Sequence, residues 1–252
     1  MKICLLRVGI DKICGGIHSP IFKDGTYEFV PIPEYYYRHH TFDENKIPTF
    51  GTLKGSKNKP FIEYFKHEGK DKDEHIHCPV HTDPEFVTYT YGDGNHTKNK
   101  LTELQKGDYI VFYAAMEGFD FDMEPAMYIF GYFEVEYSFI ATQKEHYDII
   151  FDDFKNNFHI KHQEIFARDI ANAKNKGLKL VKGSPKSRML KYAYLISKKN
   201  TLSHKKVHSI SPDMQQLFGD FGGKIAIQKN PLRWIKDKEL VQKTVHWLKN
   251  LE

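Results

Sequence analysis

The chain has 252 residues, 40% hydrophobic and 14% aromatic, a length and composition that suit a folded globular unit with its own core. No run of eighteen apolar residues occurs, which argues against a membrane-spanning helix, and Cys4, Cys14 and Cys78 lack the paired spacing of a disulfide framework. The net charge of +4 hides an asymmetry: Lys155 to Ser209 carries twelve Lys and two Arg against one Asp and one Glu, +12 in that segment and −8 in the remainder. Such an imbalance points to an anionic partner, nucleic acid foremost.

The chain opens on "KICLLRV" (2–8), an apolar run that reads as a buried strand. It has no long apolar segment and no small-residue cleavage site, so neither a signal peptide nor a secreted protein is expected. With the unpaired cysteines, this predicts a cytoplasmic protein. "GIDKICGGIHSPIFKDG" (9–25) reads as a glycine-punctuated loop and "YEFVPIP" (27–33) as a second strand. Residues 35–60 are aromatic and basic without a period and read as a long loop, "FIEYF" (61–65) as a short strand, and "GKDKDE" (69–74) as a charged turn. A further strand is expected at 86–91, after a turn closed by Asp83-Pro84.

"LTELQKGDYIVFYAAM" (101–116) places a short amphipathic piece and a Gly107-Asp108 turn before an apolar strand. "EPAMYIFGYFEVEY" (124–137) is another long strand, and Gly131 inside it suggests a bulge or a close backbone approach. Strands 109–115 and 127–137 should pair antiparallel. "KEHYDIIFDDFKNN" (144–157) has helical spacing, "LKLVKG" (178–183) reads as a strand, and "SPKSRMLKYAYLI" (184–196) as a helix capped by Ser184 with Pro185 in its first turn. A final helix (237–252) carries the stripe Leu240, Val241, Thr244, Val245, Leu248 and Leu251. No linker or repeat interrupts the chain, so one α+β domain over 1–252 is expected.

Three stretches carry polar chemistry. "HIHCPVHTD" puts His75, His77, Cys78, His81 and Asp83 within nine positions. A structural zinc site wants four Cys/His ligands in paired spacings, and no second pair exists, so no metal and no cofactor is expected. A three-ligand catalytic site, with a metal-dependent hydrolase built on His75–Asp83, stays open as an alternative. After the first strand, Gly9, Gly15 and Gly16 do not fit the dinucleotide fingerprint, but Arg7 and Asp11, with Gly15 and Gly16, could face a ligand. In "GSPKSR" (183–188), the N–H groups of an expected helix start favour an anion, and Ser184, Lys186, Ser187 and Arg188 add donors for phosphate oxygens. "YYYRHH" (35–40) combines stackable rings with a guanidinium, as base-binding surfaces do.

The stretches "RVGIDKICGGIHSPIFKDGTYEFVPIP" (7–33), "DPEFVTYTYGD" (83–93), "LQKGDYIVFYAAM" (104–116), "YIFGYFEV" (128–135) and "GSPKSRMLKYAYLIS" (183–197) resemble the nucleotide modification associated domain 3 family. That resemblance implies a nucleotide-related role and supplies no catalytic residues. It begins at Asp83-Pro84 and leaves out most of the histidine cluster, which shifts the weight to Asp83 and Asp93. A second resemblance covers 104–135, where "KGDYIVFYA…YIFGYFEV" is similar to PUA-like modules of the EVE and ASCH type. It implies a curved, mixed or antiparallel sheet or barrel with flanking helices, here with a basic C-terminal helical part from about residue 155.

These readings combine into a protein that engages nucleic acid or a nucleotide, DNA with a modified base foremost, and no membrane. Arg7, Gly15, Gly16, Tyr91, Ser184, Lys186, Ser187 and Arg188 are the expected nucleotide contacts. The alternative is an enzyme of base modification or cleavage using Asp11, Asp83 and Asp93. Convergent carboxylates would favour the enzyme, and an aromatic cage without them the reader.

Overall fold

A computed structural model describes residues 1–10, 17–38, 40–43, 46–65, 70–172, 174, 176–199, 208–225 and 232–251. Asp11, Cys14, Gly15 and Gly16 lie outside the described residues. In chain order the elements are β1 (Ile3–Arg7), β2 (Ser19–Ile21), β3 (Ile32–Pro33), α1 (Lys70–His75), β4 (Val80–His81), β5 (Thr90–Asp93), β6 (Tyr109–Gly118) and β7 (Ala126–Ala141). After β7 come α2 (His146–Phe154), α3 (Phe158–Lys161), α4 (Gln163–Ala171), β8 (Leu178–Gly183), β9 (Arg188–Leu195), β10 (Ser197–Lys199), β11 (His208–Ile210), α5 (Pro212–Phe218), β12 (Arg233–Ile235) and α6 (Lys238–Lys249).

The antiparallel β6–β7 hairpin is the centre of the main sheet, whose order is β12-β1-β6-β7-β8-β5. Tyr109–Met116 of β6 and Met127–Phe133 of β7 are apolar and buried because both faces are covered there, the condition under which alternation disappears. On one face Tyr109, Val111 and Tyr113 join Ile3 and Leu5 against Val241, Val245 and Leu248 of α6. On the other, Ile110, Phe112 and Ala114 join Cys4 and Leu6 with Phe130, Phe133, Tyr91 and Phe86. Gly131 shows both properties expected of a strand glycine. The register shifts beside it, and a Cβ there would lie 2.6 Å from the Phe86 ring.

The sheet is mixed, since β1 and β6 run parallel, but it does not close into the barrel that the PUA-like resemblance implied. β12 and β5 end the strand order. β5 is four residues long, and the outward backbone bonds of Thr90 are already taken by Glu85, so no long free edge remains for closure. The C-terminal part from 155 is mixed: α3, α4, α5 and α6 alternate with strands β8 to β12.

The largest local correction concerns 184–196. No helix begins at Ser184. β8 pairs with Ala141–Val135 and β9 with Tyr132–Tyr128, both antiparallel and both on β7. The two are therefore one line of chain interrupted by a bulge at Ser184–Ser187. The serine does bind its turn, since Lys186 N donates to Ser184 Oγ at 3.2 Å and Ser187 N to Ser184 O at 2.9 Å. A sixteen-residue β7 offers an edge whose pairing outweighs the helical preference of residues 188–195. Smaller departures obey the same logic. Phe61–Tyr64 is a 3₁₀ turn after Pro60, Lys70–His75 is helical, and of 27–33 only Ile32–Pro33 forms a strand, against β4. Residues 86–89 are a turn, with the strand starting at Thr90.

Candidate metal centre

The short β3–β4 pair aligns Ile32 with His81, and Glu34 N donates to Pro79 O at 2.9 Å. Glu34 is thereby delivered beside His81, and its Oε2 lies 2.9 Å from His81 Nδ1. Two residues on, Asp83 faces the same imidazole, with Oδ2 3.2 Å from His81 Nε2. The third member comes from far along the chain. Asn157 caps α3 by accepting from His159 N at 3.2 Å, and its Nδ2 donates to Asp83 Oδ1 at 2.8 Å. His159 Nε2 then sits 3.1 Å from His81 Nε2 and 3.2 Å from Asp83 Oδ2.

Each imidazole is held from behind. His159 Nδ1 meets Asp169 Oδ2 at 2.5 Å, as His81 Nδ1 meets Glu34. Arg168 links the two carboxylates, donating from Nε to Asp169 Oδ1 at 2.8 Å and from Nη1 to Glu34 Oε1 at 2.9 Å. Its guanidinium also lies over the Tyr36 ring. Phe158 stacks on His81 with centroids 4.2 Å apart. The floor is β5. A Cβ on Gly92 would lie 2.5 Å from the His159 ring, and one on Gly94 would lie 2.9 Å from the Asp169 carboxyl. Only glycine lets this strand approach so closely.

A carboxylate accepts, so Glu34 and Asp169 favour a proton on each Nδ1. In neutral imidazoles both Nε2 lone pairs then point, with Asp83 Oδ2, at one spot. With both imidazoles neutral, Glu34, Asp83 and Asp169 against Arg168 leave two negative charges in excess, in a region where His81, Asp83 and His159 are all buried. Burial works against the charged imidazole of His159, but Asp169 and then Asp83 outweigh it and raise its pKa to about 10. His81 is likewise raised, burial being overcome by Asp83 and Glu34. Burial pushes the Glu34 and Asp169 carboxyls up, yet His81 and Arg168 for the first, and His159 and Arg168 for the second, hold both at about 2. The centre thus attracts positive charge. Two facing nitrogens at 3.1 Å cannot both be protonated, whereas one divalent cation balances the excess.

Among the described residues, His81, Asp83 and His159 form the cluster of His, Cys, Asp and Glu side chains suited to an ion. Spacing within 75–83 speaks against a metal only because the third donor lies outside that stretch. His75 packs against Phe65 and Phe50, and Cys78 sits in the apolar cluster with Val30, Phe50 and Val80. Neither is in the centre.

A model of the nucleotide modification associated domain 3 family matches residues 2–246. The chain belongs to that family. No curated protein and no solved structure matches it.

In this nucleotide modification associated domain, the residues singled out in the sequence separate into groups. Asp83 is in the centre. Tyr91 and Asp93 are near it on β5, the phenol donating to Asp93 Oδ2 at 2.8 Å, and burial, then Asp93 and Asp83, raise the Tyr91 pKa. Asp93 is one residue from Gly92, so its side chain leaves the opposite face of the strand. It pairs in register with Lys179. Arg7 ends β1 opposite Tyr113. At the bulge, Ser187 Oγ accepts from Glu134 N at 3.1 Å, Lys186 Nζ is 3.4 Å from Glu134 Oε1, and Arg188 Nη1 donates to Leu251 O at 3.3 Å. These partners do not belong to the centre. Glu34, Asn157, His159, Arg168 and Asp169 were not anticipated. One local signal was present: His81-x-Asp83 in extended chain puts both side chains on one face.

Proposed function

We propose that this protein is a metal-dependent enzyme of nucleotide modification, with its ion held by His81 Nε2, His159 Nε2 and Asp83 Oδ2. The observation that carries the reading is the convergence of these three donors while each imidazole's other nitrogen is held by a carboxylate, the outer arrangement that orients metal-binding histidines. Clustered carboxylates favour an enzyme over a base reader: Asp83 faces both Nε2 atoms, and Glu34 and Asp169 hold the imidazoles from behind. The bound ion would act as a Lewis acid or activate a ligand. Glu34 and Asp169 keep both imidazoles in the ligating tautomer, Asn157 orients Asp83, and Arg168 balances the outer carboxylates.

Family membership supports a nucleotide-bearing substrate, and the +12 segment supports a polyanionic one. The phosphate role of Lys186 and Arg188 now rests on charge alone, because the helix start that would have favoured an anion is absent. The test is elemental analysis of purified protein. About one equivalent of a divalent transition metal per chain is expected, lost in His81→Ala and His159→Ala and kept in Lys186→Ala/Arg188→Ala. Folded protein that takes up no metal from replete buffer would refute the proposal.

A further inference from the structure

We infer that the ion is six-coordinate and of the ferrous or manganous kind, with the protein supplying three donors on one face and the other three positions left to ligands from outside the protein. The inference rests on the metal reading and adds the coordination geometry and the class of ion. The three donor atoms form a nearly equilateral triangle, 3.1 Å between the imidazole nitrogens and 3.2 Å from each to Asp83 Oδ2. Neighbouring ligands of an octahedron are separated by the bond length times the square root of two, and those of a tetrahedron by a larger multiple. The triangle therefore fits bonds of about 2.2 Å in an octahedron but only about 1.9 Å in a tetrahedron, shorter than the roughly 2.0–2.1 Å of zinc to imidazole nitrogen.

Among the described residues, the surroundings keep the protein's contribution at three donors. Glu34 and Asp169 are turned to the Nδ1 atoms and bridged by Arg168, so neither is placed to become a fourth ligand. Asp83 Oδ1 accepts from Asn157 Nδ2, which leaves Oδ2 to bind alone. Cys4 and Cys78 are buried in apolar clusters, so no thiolate of the described residues tilts the site towards zinc. Two imidazoles and one carboxylate on one face form the donor set of mononuclear ferrous sites. With three protein donors, an octahedral ion has three positions left for water, substrate and a second small ligand, whereas a tetrahedral ion has one.

Affinity alone does not decide the ion, because zinc outcompetes iron and manganese at most nitrogen and oxygen sites. Coordination number does. Apoprotein made by chelation is loaded anaerobically with cobalt(II), dialysed, and its cobalt content and visible spectrum are measured. The expected result is one cobalt per chain with the weak visible bands of six-coordination, and loss of uptake in His159→Ala. One cobalt per chain with intense tetrahedral bands would overturn this inference and leave the metal reading intact. No uptake by folded protein would remove the metal reading and this inference with it.

Discussion

The β6–β7 hairpin and the ring running from Glu34 through His81, Asp83, His159 and Asp169 to the half-buried Arg168 are held by opposite forces. The hairpin is held by apolar area. Phe112 packs against Phe133 with centroids 4.7 Å apart and against Phe86 and Tyr91 at 5.8 and 5.9 Å, and such contact is tolerant of direction. The ring is held by directed bonds between charged groups, each needing its partner. The first should yield gradually to substitution. The second should fail as a unit.

The hardest test of this contrast removes one large side chain from each region. Phe112→Ala should lose about 3–5 kcal/mol of stability, read by urea unfolding, from apolar transfer and the cavity left behind. The molecules that remain folded should keep their full metal content. His159→Ala should cost about 3–5 kcal/mol as well, because Asp83 and Asp169 lose a buried partner, and here metal is lost completely. A Phe112→Ala protein that folds but holds no metal would show that the two regions are not independent.

Metal removal should have the next largest effect. At an ion concentration a hundredfold above its dissociation constant, a chelator should lower stability by about 2.7 kcal/mol. That loss should be absent in His159→Ala and undiminished in Phe112→Ala.

Acid sharpens the contrast further. Glu34 and Asp169 have folded pKa values lowered to about 2 from ordinary values of 4.5 and 3.8. Depressed carboxyls stabilise fully above the ordinary value and lose that contribution as the pH falls towards the folded one. In metal-free protein, the stability advantage of wild type over Glu34→Gln should be complete above pH 4.5 and shrink towards pH 2. Phe112→Ala should show a constant deficit across the same range.

The smallest effect is expected at the bulge. Lys186 is exposed and Arg188 bonds one backbone carbonyl, so Lys186→Ala/Arg188→Ala should change stability by about 0.5 kcal/mol or less. If the basic segment binds oligonucleotides, the double variant should flatten the salt dependence of binding by about one to two units. An unchanged slope would take these two side chains out of any phosphate contact.

Much of the first region was legible in the residues. "DYIVFYAAM" and "AMYIFGYFEVEY" are too apolar and too rich in β-formers for anything but buried strands, and a Gly-Asp turn marks where the first begins. The stripe of α6 was equally plain, because helical spacing is a local property. The helix expected at Ser184 failed for the complementary reason. "SPKSR" carries a good capping signal, and only the long neighbouring edge of β7 draws residues 188–195 into a strand.

The centre was legible in part. Composition alone predicted a polar cluster near residues 75–83, and the alternation of an extended chain aligned His81 with Asp83. Nothing local distinguished His159 from other histidines, or connected Glu34 to Asp169 across 134 intervening positions. The sequence by itself determined strands β1, β6, β7 and β8 and the terminal helix with their apolar faces, since each depends on neighbours within a few residues, and the motifs along its length carried the family. Only the tertiary structure decided which histidine completes the triangle, that glycine must stand at 92 beside His159 and at 94 beside Asp169, and that the sheet stays open. The reason is physical: hydrophobic periodicity is written along the chain, whereas a set of converging lone pairs exists only where distant backbone segments have already been brought within about 3 Å of one another.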